Sequence, residues 1–138
     1  MALELYMLGL IVQDMPKALS FYRQLGVAIP DESEAKSHVE IKMGRGMTFF
    51  LDSNPARWDP KLGAAAEPAQ RAVGEQYPLV LEFYLGEQAA LEAKYAELTA
   101  SGYEGFREPY PTSFGMYFAM VKDSDGNTVL LSADAAPE

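Results

Sequence analysis

The stretch VKDSDGNTVLLS, residues 121–132, decides how the rest of the chain is read. Asp123, Asp125, Gly126 and Asn127 are turn residues, since Asp and Asn side chains bond nearby backbone and glycine tolerates a positive φ. The apolar stretches on either side, FGMYFAMVK and NTVLLS, then read as two strands of a hairpin. Upstream, LVLEFYLG reads as a strand and EQAALEAKYAELTASG as a helix, with Leu91, Tyr95 and Leu98 on one face and Gly102 as its stop.

The same order of events opens the chain. Leu3 to Val12 is rich in strand formers, Asp14 offers an N-cap, and Pro16 falls in the first helical turn. Ala18, Leu19, Phe21, Tyr22 and Leu25 then recur at helical spacing, and Gly26 ends the helix. After the acidic connection PDESEAKS, the stretch HVEIKMG alternates Val39, Ile41 and Met43 with His38, Glu40 and Lys42. It predicts a strand with one polar face, turned by GRG into the strand MTFFLDS. An offset of 73 residues superposes Leu25 on Leu98, Asp14 on Glu87 and Val12 on Leu85, so the halves agree in register as well as in order. Between them runs a long segment rich in Pro, Gly and Ala that holds the one tryptophan, Trp58. It is expected to be a crossover, a lid or a flexible linker.

Composition excludes several function classes. The chain has 138 residues and 49% hydrophobic content, the size and make-up of one domain with a core. It has no cysteine, so disulfides, thiolate metal sites and a Cys nucleophile are ruled out. The net charge of −9, with no Lys/Arg cluster, opposes binding to nucleic acid or to an anionic membrane. The amino-terminal stretch MALELYMLGLIV lacks the basic region and cleavage site of a signal peptide and is read as a first strand, with a cytoplasmic location expected. GRG at 44–46 lacks the strand–glycine–helix setting of a phosphate loop, and DSDGN lacks the later Glu of a calcium loop.

With LGLIVQDMPKALSFYRQLG near the start and VKDSDGNTVLLS near the end, the chain resembles the vicinal oxygen chelate superfamily of glyoxalase I, extradiol dioxygenases and bleomycin-resistance proteins. The resemblance covers all but the middle segment. It implies an α+β fold of two βαβββ modules, whose curled mixed sheets enclose a cavity, and a homodimer. On that basis residues 1–138 form a single domain, with a first module at 1–53, a crossover loop at 54–78 and a second module at 79–138. Metal-using members carry His, Gln or Glu ligands on the first and last strand of each module. Carried over by position, these places fall on Met7, Phe50, Val80 and Leu130. Hydrocarbon donates nothing to a metal and thioether sulfur suits only soft ions, so no metal site and no cofactor are expected. A slip of one residue brings in Leu8, Phe49, Leu79 and Val129 or Leu131, and changes nothing.

Strand alternation supplies a candidate lining. If Met7 and Val80 point inward, so do Gly9, Ile11, Glu82 and Tyr84, with Thr48, Phe50, Asp52, Thr128, Leu130 and Ser132 on the partner strands. Phe50, Tyr84 and Tyr117 are candidates to stack on a flat ligand and Trp58 to close over it; core packing is the competing role. Tyr110, held between Pro109 and Pro111, is left open between ligand and solvent. Glu82 interrupts an apolar run, and if buried it must pair with Arg, Tyr or backbone donors, bind a cationic or hydroxylated ligand, or act as a base. The one histidine, His38, reads as a partly exposed strand residue or as an acid–base group. Glu82 and His38 are thus the catalytic candidates, with Glu40 beside them. The expected function is metal-independent binding of an aromatic or cationic small molecule. The alternatives are an isomerase, lyase or dioxygenase with a relocated site, and a module that works through dimer or partner contacts.

Overall fold

The computed structural model describes residues 2–58 and 79–136, which fall into two compact units, one on each side of the 59–78 segment. Most of the crossover expected at 54–78 therefore lies outside the described residues.

In the first unit, β1 (Met7–Ile11) leads into α1 (Met15–Leu25), followed by β2 (His38–Lys42) and β3 (Thr48–Asp52). The helix starts where its sequence says it should. Asp14 is extended and its Oδ1 accepts the Lys17 amide at 3.0 Å, satisfying one of the free N–H groups of the first turn. It stops at Gly26, whose φ of 123° carries its N–H back to the Tyr22 and Arg23 carbonyls. The apolar stripe Met15, Ala18, Leu19, Phe21, Tyr22 and Leu25 is buried, and the Tyr22 ring meets Phe49 edge-on at 5.4 Å. Each such large apolar side chain contributes roughly 1.5–3 kcal/mol by leaving water. The sheet runs β1-β3-β2, with β1 parallel and β2 antiparallel to β3. Leu10, Val39, Ile41, Phe49 and Leu51 are buried on the helix side. Alternation sends Gly9, His38, Glu40, Phe50 and Asp52 to the other, open face.

The first unit has three strands, one fewer than the βαβββ pattern expected at 1–53. Where a strand should follow α1, the chain makes a 3-10 turn at Ser33–Ala35. Its sequence explains this, because PDESEAKS holds no run of β-branched or aromatic residues and begins with a proline that cannot donate to a ladder. Ser33 Oγ donates to the Pro30 carbonyl at 2.7 Å, and Arg23 pairs with Glu34, so side chains satisfy the turn that a sheet would otherwise hold.

The second unit completes the pattern, with β4 (Val80–Glu87), α2 (Gln88–Ala100), β5 (Gly105–Pro111), β6 (Met116–Lys122) and β7 (Thr128–Asp134). The strand order is β4-β7-β6-β5, with β4 parallel to β7 and the remaining pairs antiparallel. The helix lies over all four strands, with Leu91 and Leu98 fully buried. Ala119, Val121, Val129, Leu131 and Ala133 form one fully buried strand face. The opening stretch behaves as read. Asp123 Oδ1 accepts the amides of Asp125 and Asn127 at 2.9 and 2.8 Å, Gly126 has a φ of 82°, and the turn joins β6 to β7. No helix among the described residues is long and apolar enough to cross a membrane.

Candidate functional site

The open face of the first unit is built around a close approach of ring to backbone. A β-carbon on Gly9 would lie 1.9 Å from the tip of the Phe50 ring, so the ring rests directly on the strand beside it. Glycine is required there by space, not by turn geometry. Phe50 lies 5.1 Å from His38 and 5.6 Å from Trp58, centroid to centroid, and Trp58 meets His38 edge-on at 6.1 Å. Trp58 closes the 3-10 turn Pro55–Arg57 and is about half exposed.

Asp52 holds this corner together. Its carboxylate is fully buried and accepts the Asn54 amide at 2.7 Å, which fixes the path of the chain toward Trp58. It also lies 2.7 Å from His38 Nδ1 and 3.8 Å from Arg57 Nη2. The other ring nitrogen, His38 Nε2, lies 2.8 Å from Glu40 Oε2. Two carboxylates at two ring nitrogens suit the imidazolium, which donates from both. Desolvation lowers the His38 pKa, but the hydrogen bonds and charges of Glu40 and Asp52 outweigh it and raise the value above its usual 6.5.

The second unit's open face is organised differently. Ser132 Oγ donates to Glu82 Oε2 at 2.8 Å, and the Tyr84 hydroxyl donates to Asp134 Oδ2 at 2.7 Å. The bond to Asp134 favours the protonated phenol and raises the Tyr84 pKa. Glu82 is exposed rather than buried, because it stands on the face that α2 leaves uncovered. Val80 and Tyr84 are exposed beside it, whereas Leu130 and Thr128 on β7 are buried. Lys122 Nζ donates to Thr128 Oγ1 at 2.7 Å and sits 4.1 Å over the Phe106 ring. Tyr117 alternates with Phe118 and shares the face of Ala119 and Val121, away from Glu82 and Tyr84. Tyr110 stacks under Arg107 at 4.0 Å and meets Phe118 edge-on at 6.2 Å.

The family model for the glyoxalase/bleomycin resistance protein/dioxygenase superfamily matches residues 5–131. The chain belongs to that superfamily. Solved structures agree in fold. A glyoxalase/bleomycin resistance protein/dioxygenase family enzyme of Burkholderia phytofirmans PsJN is 16% identical with a TM-score of 0.75, over 94% of this chain and 97% of its own. A glyoxalase/bleomycin resistance protein of Albidiferax ferrireducens T118 is 22% identical with a TM-score of 0.64, over 96% and 98%. A hypothetical protein of S. aureus is also 22% identical, with a TM-score of 0.70 over 96% and 94%. No curated protein matches the chain.

As a superfamily member, the chain can be tested for its relatives' chelate against its own side chains. The four carried-over positions are Met7 and Phe50 in the first unit and Val80 and Leu130 in the second, and none offers a hard donor. Among the described residues no group of three His, Cys, Asp or Glu side chains is placed to hold a metal ion. His38, Glu40 and Asp52 do meet, but through both ring nitrogens, one of which a metal would need as a lone pair. The donor set does not fit the ion.

Of the residues singled out in the sequence, the structure brings His38, Phe50 and Trp58 into one cluster, and Val80, Glu82, Tyr84 and Leu130 onto one sheet face. Sequence reasoning missed the pairing of His38 with Asp52. The signal was there: counting seven residues outward on each side of Arg45, at the tip of the hairpin, lands on His38 and Asp52.

Proposed function

We propose that this superfamily member binds a small, flat organic molecule without a metal ion, as a sequestering protein rather than through chelate chemistry. The observation that carries the reading is the chemistry of Met7, Phe50, Val80 and Leu130, which replaces a set of hard donors by carbon and thioether. Aromatic and apolar surface with a few fixed polar groups is the usual make-up of small-molecule sites. The first unit supplies such surface with Phe50 and Trp58 beside His38, and the second, by itself, with Val80, Tyr84 and Leu130 beside Glu82. The ligand class is an aromatic compound, or a cationic one drawn by the net charge of −9. The protein works as a cytoplasmic homodimer; sedimentation tests the dimer.

The second reading is an isomerase, lyase or dioxygenase of the superfamily with a displaced site. It is favoured by the Asp52–His38 contact of 2.7 Å, the arrangement that orients an imidazole for acid–base work. Metal analysis after chelator-free purification, with Trp58 fluorescence against dyes, antibiotics and aromatic metabolites, separates the two. Saturable quenching in metal-free protein is expected. Stoichiometric Fe, Mn, Ni or Zn, or no saturable response, overturns the sequestration reading.

A further inference from the structure

We propose that the open face of the first unit recognises the carboxylate of a flat aromatic acid, and that Glu40 occupies the place such a ligand takes. The inference rests on the reading above that an aromatic compound is bound, and narrows it to one chemical class at one unit.

The two ends of the imidazole are held differently. The Nδ1 end is fixed, because Asp52 is fully buried and is itself held by the Asn54 amide. The Nε2 end is different in kind. Its partner, Glu40, has a side chain about half exposed, on the edge strand of the sheet, where it pairs with His38. Exposed pairs of this sort are weak and exchange readily with solvent or with another anion. A carboxylate already rests at Nε2, so the geometry for a second one is built.

What a free acid adds is the aromatic body. Phe50 and Trp58 stand 5.1 and 6.1 Å from the His38 ring, centroid to centroid, and steeply inclined to each other, so they offer a flat ring bound at the imidazole both stacking and edge contacts. Glu40 has no ring to offer them. Charge selects the same class. With His38 protonated, Asp52 and Glu40 are balanced by His38 and Arg57; a displaced Glu40 carboxylate stays on its strand and turns to water, where solvent and salt screen its repulsion of the ligand. A cation in that place meets an N–H donor pointing at it, and a neutral amide accepts a weaker bond.

Among the described residues His38 is faced by Asp52 from β3 and Glu40 from its own strand, with Arg57 from the turn against Asp52, while β1 contributes the uncharged Met7, Gly9 and Ile11 to this face. Lys42 is the next residue along this face of β2 after Glu40. Above the His38 pKa, Nε2 loses its proton and accepts rather than donates. Carboxylate binding must then fall.

The test uses the full-length protein, whose single tryptophan and single histidine are both at the site. Trp58 fluorescence is titrated with benzoate, benzamide and benzylamine at pH 6 and pH 9, and the His38 ring protons are followed by NMR. Expected are saturable quenching by benzoate at pH 6, at least tenfold tighter than benzamide, weakening at least tenfold at pH 9. Glu40→Gln should tighten benzoate about fivefold. His38→Gln should abolish the preference for benzoate over benzamide while leaving benzamide quenching in place, which also reports that the variant is folded. Equal binding of benzoate and benzamide, or preference for benzylamine, overturns the carboxylate inference and leaves aromatic binding standing. Absence of saturable quenching by all three overturns both at this face.

Discussion

The two units share one plan and use their open faces differently. In the first, three strands carry a histidine clamped between carboxylates and walled by Phe50 and Trp58. In the second, four strands carry hydroxyl–carboxylate pairs, Ser132 with Glu82 and Tyr84 with Asp134, among Val80 and Leu130. The helix sides differ far less, since both bury aliphatic and aromatic residues at alternate strand positions. The burial pattern thus preserves the plan, while the exposed alternate positions, which cost little to change, carry what distinguishes the units.

The largest test of that likeness is in the cores. Leu51→Ala and Leu131→Ala each remove a fully buried side chain, and each should cost about 2–5 kcal/mol in denaturant unfolding. A much smaller loss at Leu51 would show that the three-stranded unit collapses around the gap and is packed less firmly than its counterpart. Next comes Asp52→Asn, which replaces by an amide N–H₂ one of the two oxygens that accept from the Asn54 amide and the imidazolium. It should cost about 1.5–3 kcal/mol and lower the His38 pKa followed by NMR. No change in either would mean that the cluster does not hold the face together.

The helix starts offer a smaller and cleaner contrast. Asp14→Ala should cost about 1 kcal/mol, because Asp14 caps the Lys17 amide. Glu87→Ala, at the matching position, should change stability by less than about 0.5 kcal/mol, because its side chain makes no capping bond. Equal effects would break the contrast. The smallest expected effect is in pH. A group whose folded pKa is raised stabilises fully below its unfolded value, near 6.5, and loses that contribution as pH rises through the folded value. Stability should therefore decline modestly above pH 6.5, and His38→Gln should remove that part of the slope.

Much of this was legible in the sequence for identifiable reasons. Asp14, Pro16 and Gly26 bound the first helix by local chemistry alone, and Asp123 to Asn127 form a turn whose bonds lie within five residues. The hairpin at Arg45 sets His38 opposite Asp52 by its register, a cross-strand fact that alternation along a single strand does not show. The absent strand after α1 was obscured by the family pattern, although PDESEAKS lacked the residues for it. Whether Glu82 is buried could not be read from the apolar run it interrupts, because which face a helix leaves open is a tertiary fact. Arg57 and Asp134 carried no sequence signal, since their partners are set by where a turn and a neighbouring strand deliver them.

The missing strand has one practical consequence. It leaves β2 at the border of its sheet, with a row of backbone donors and acceptors of the kind through which unrelated chains stick together. Five residues, three of them His38, Glu40 and Lys42, keep that border short and charged. Glu40→Gln, the change that should sharpen acid binding, removes one of those guards. Shelf life at high protein concentration, more than affinity, will then decide how far this face can be re-engineered.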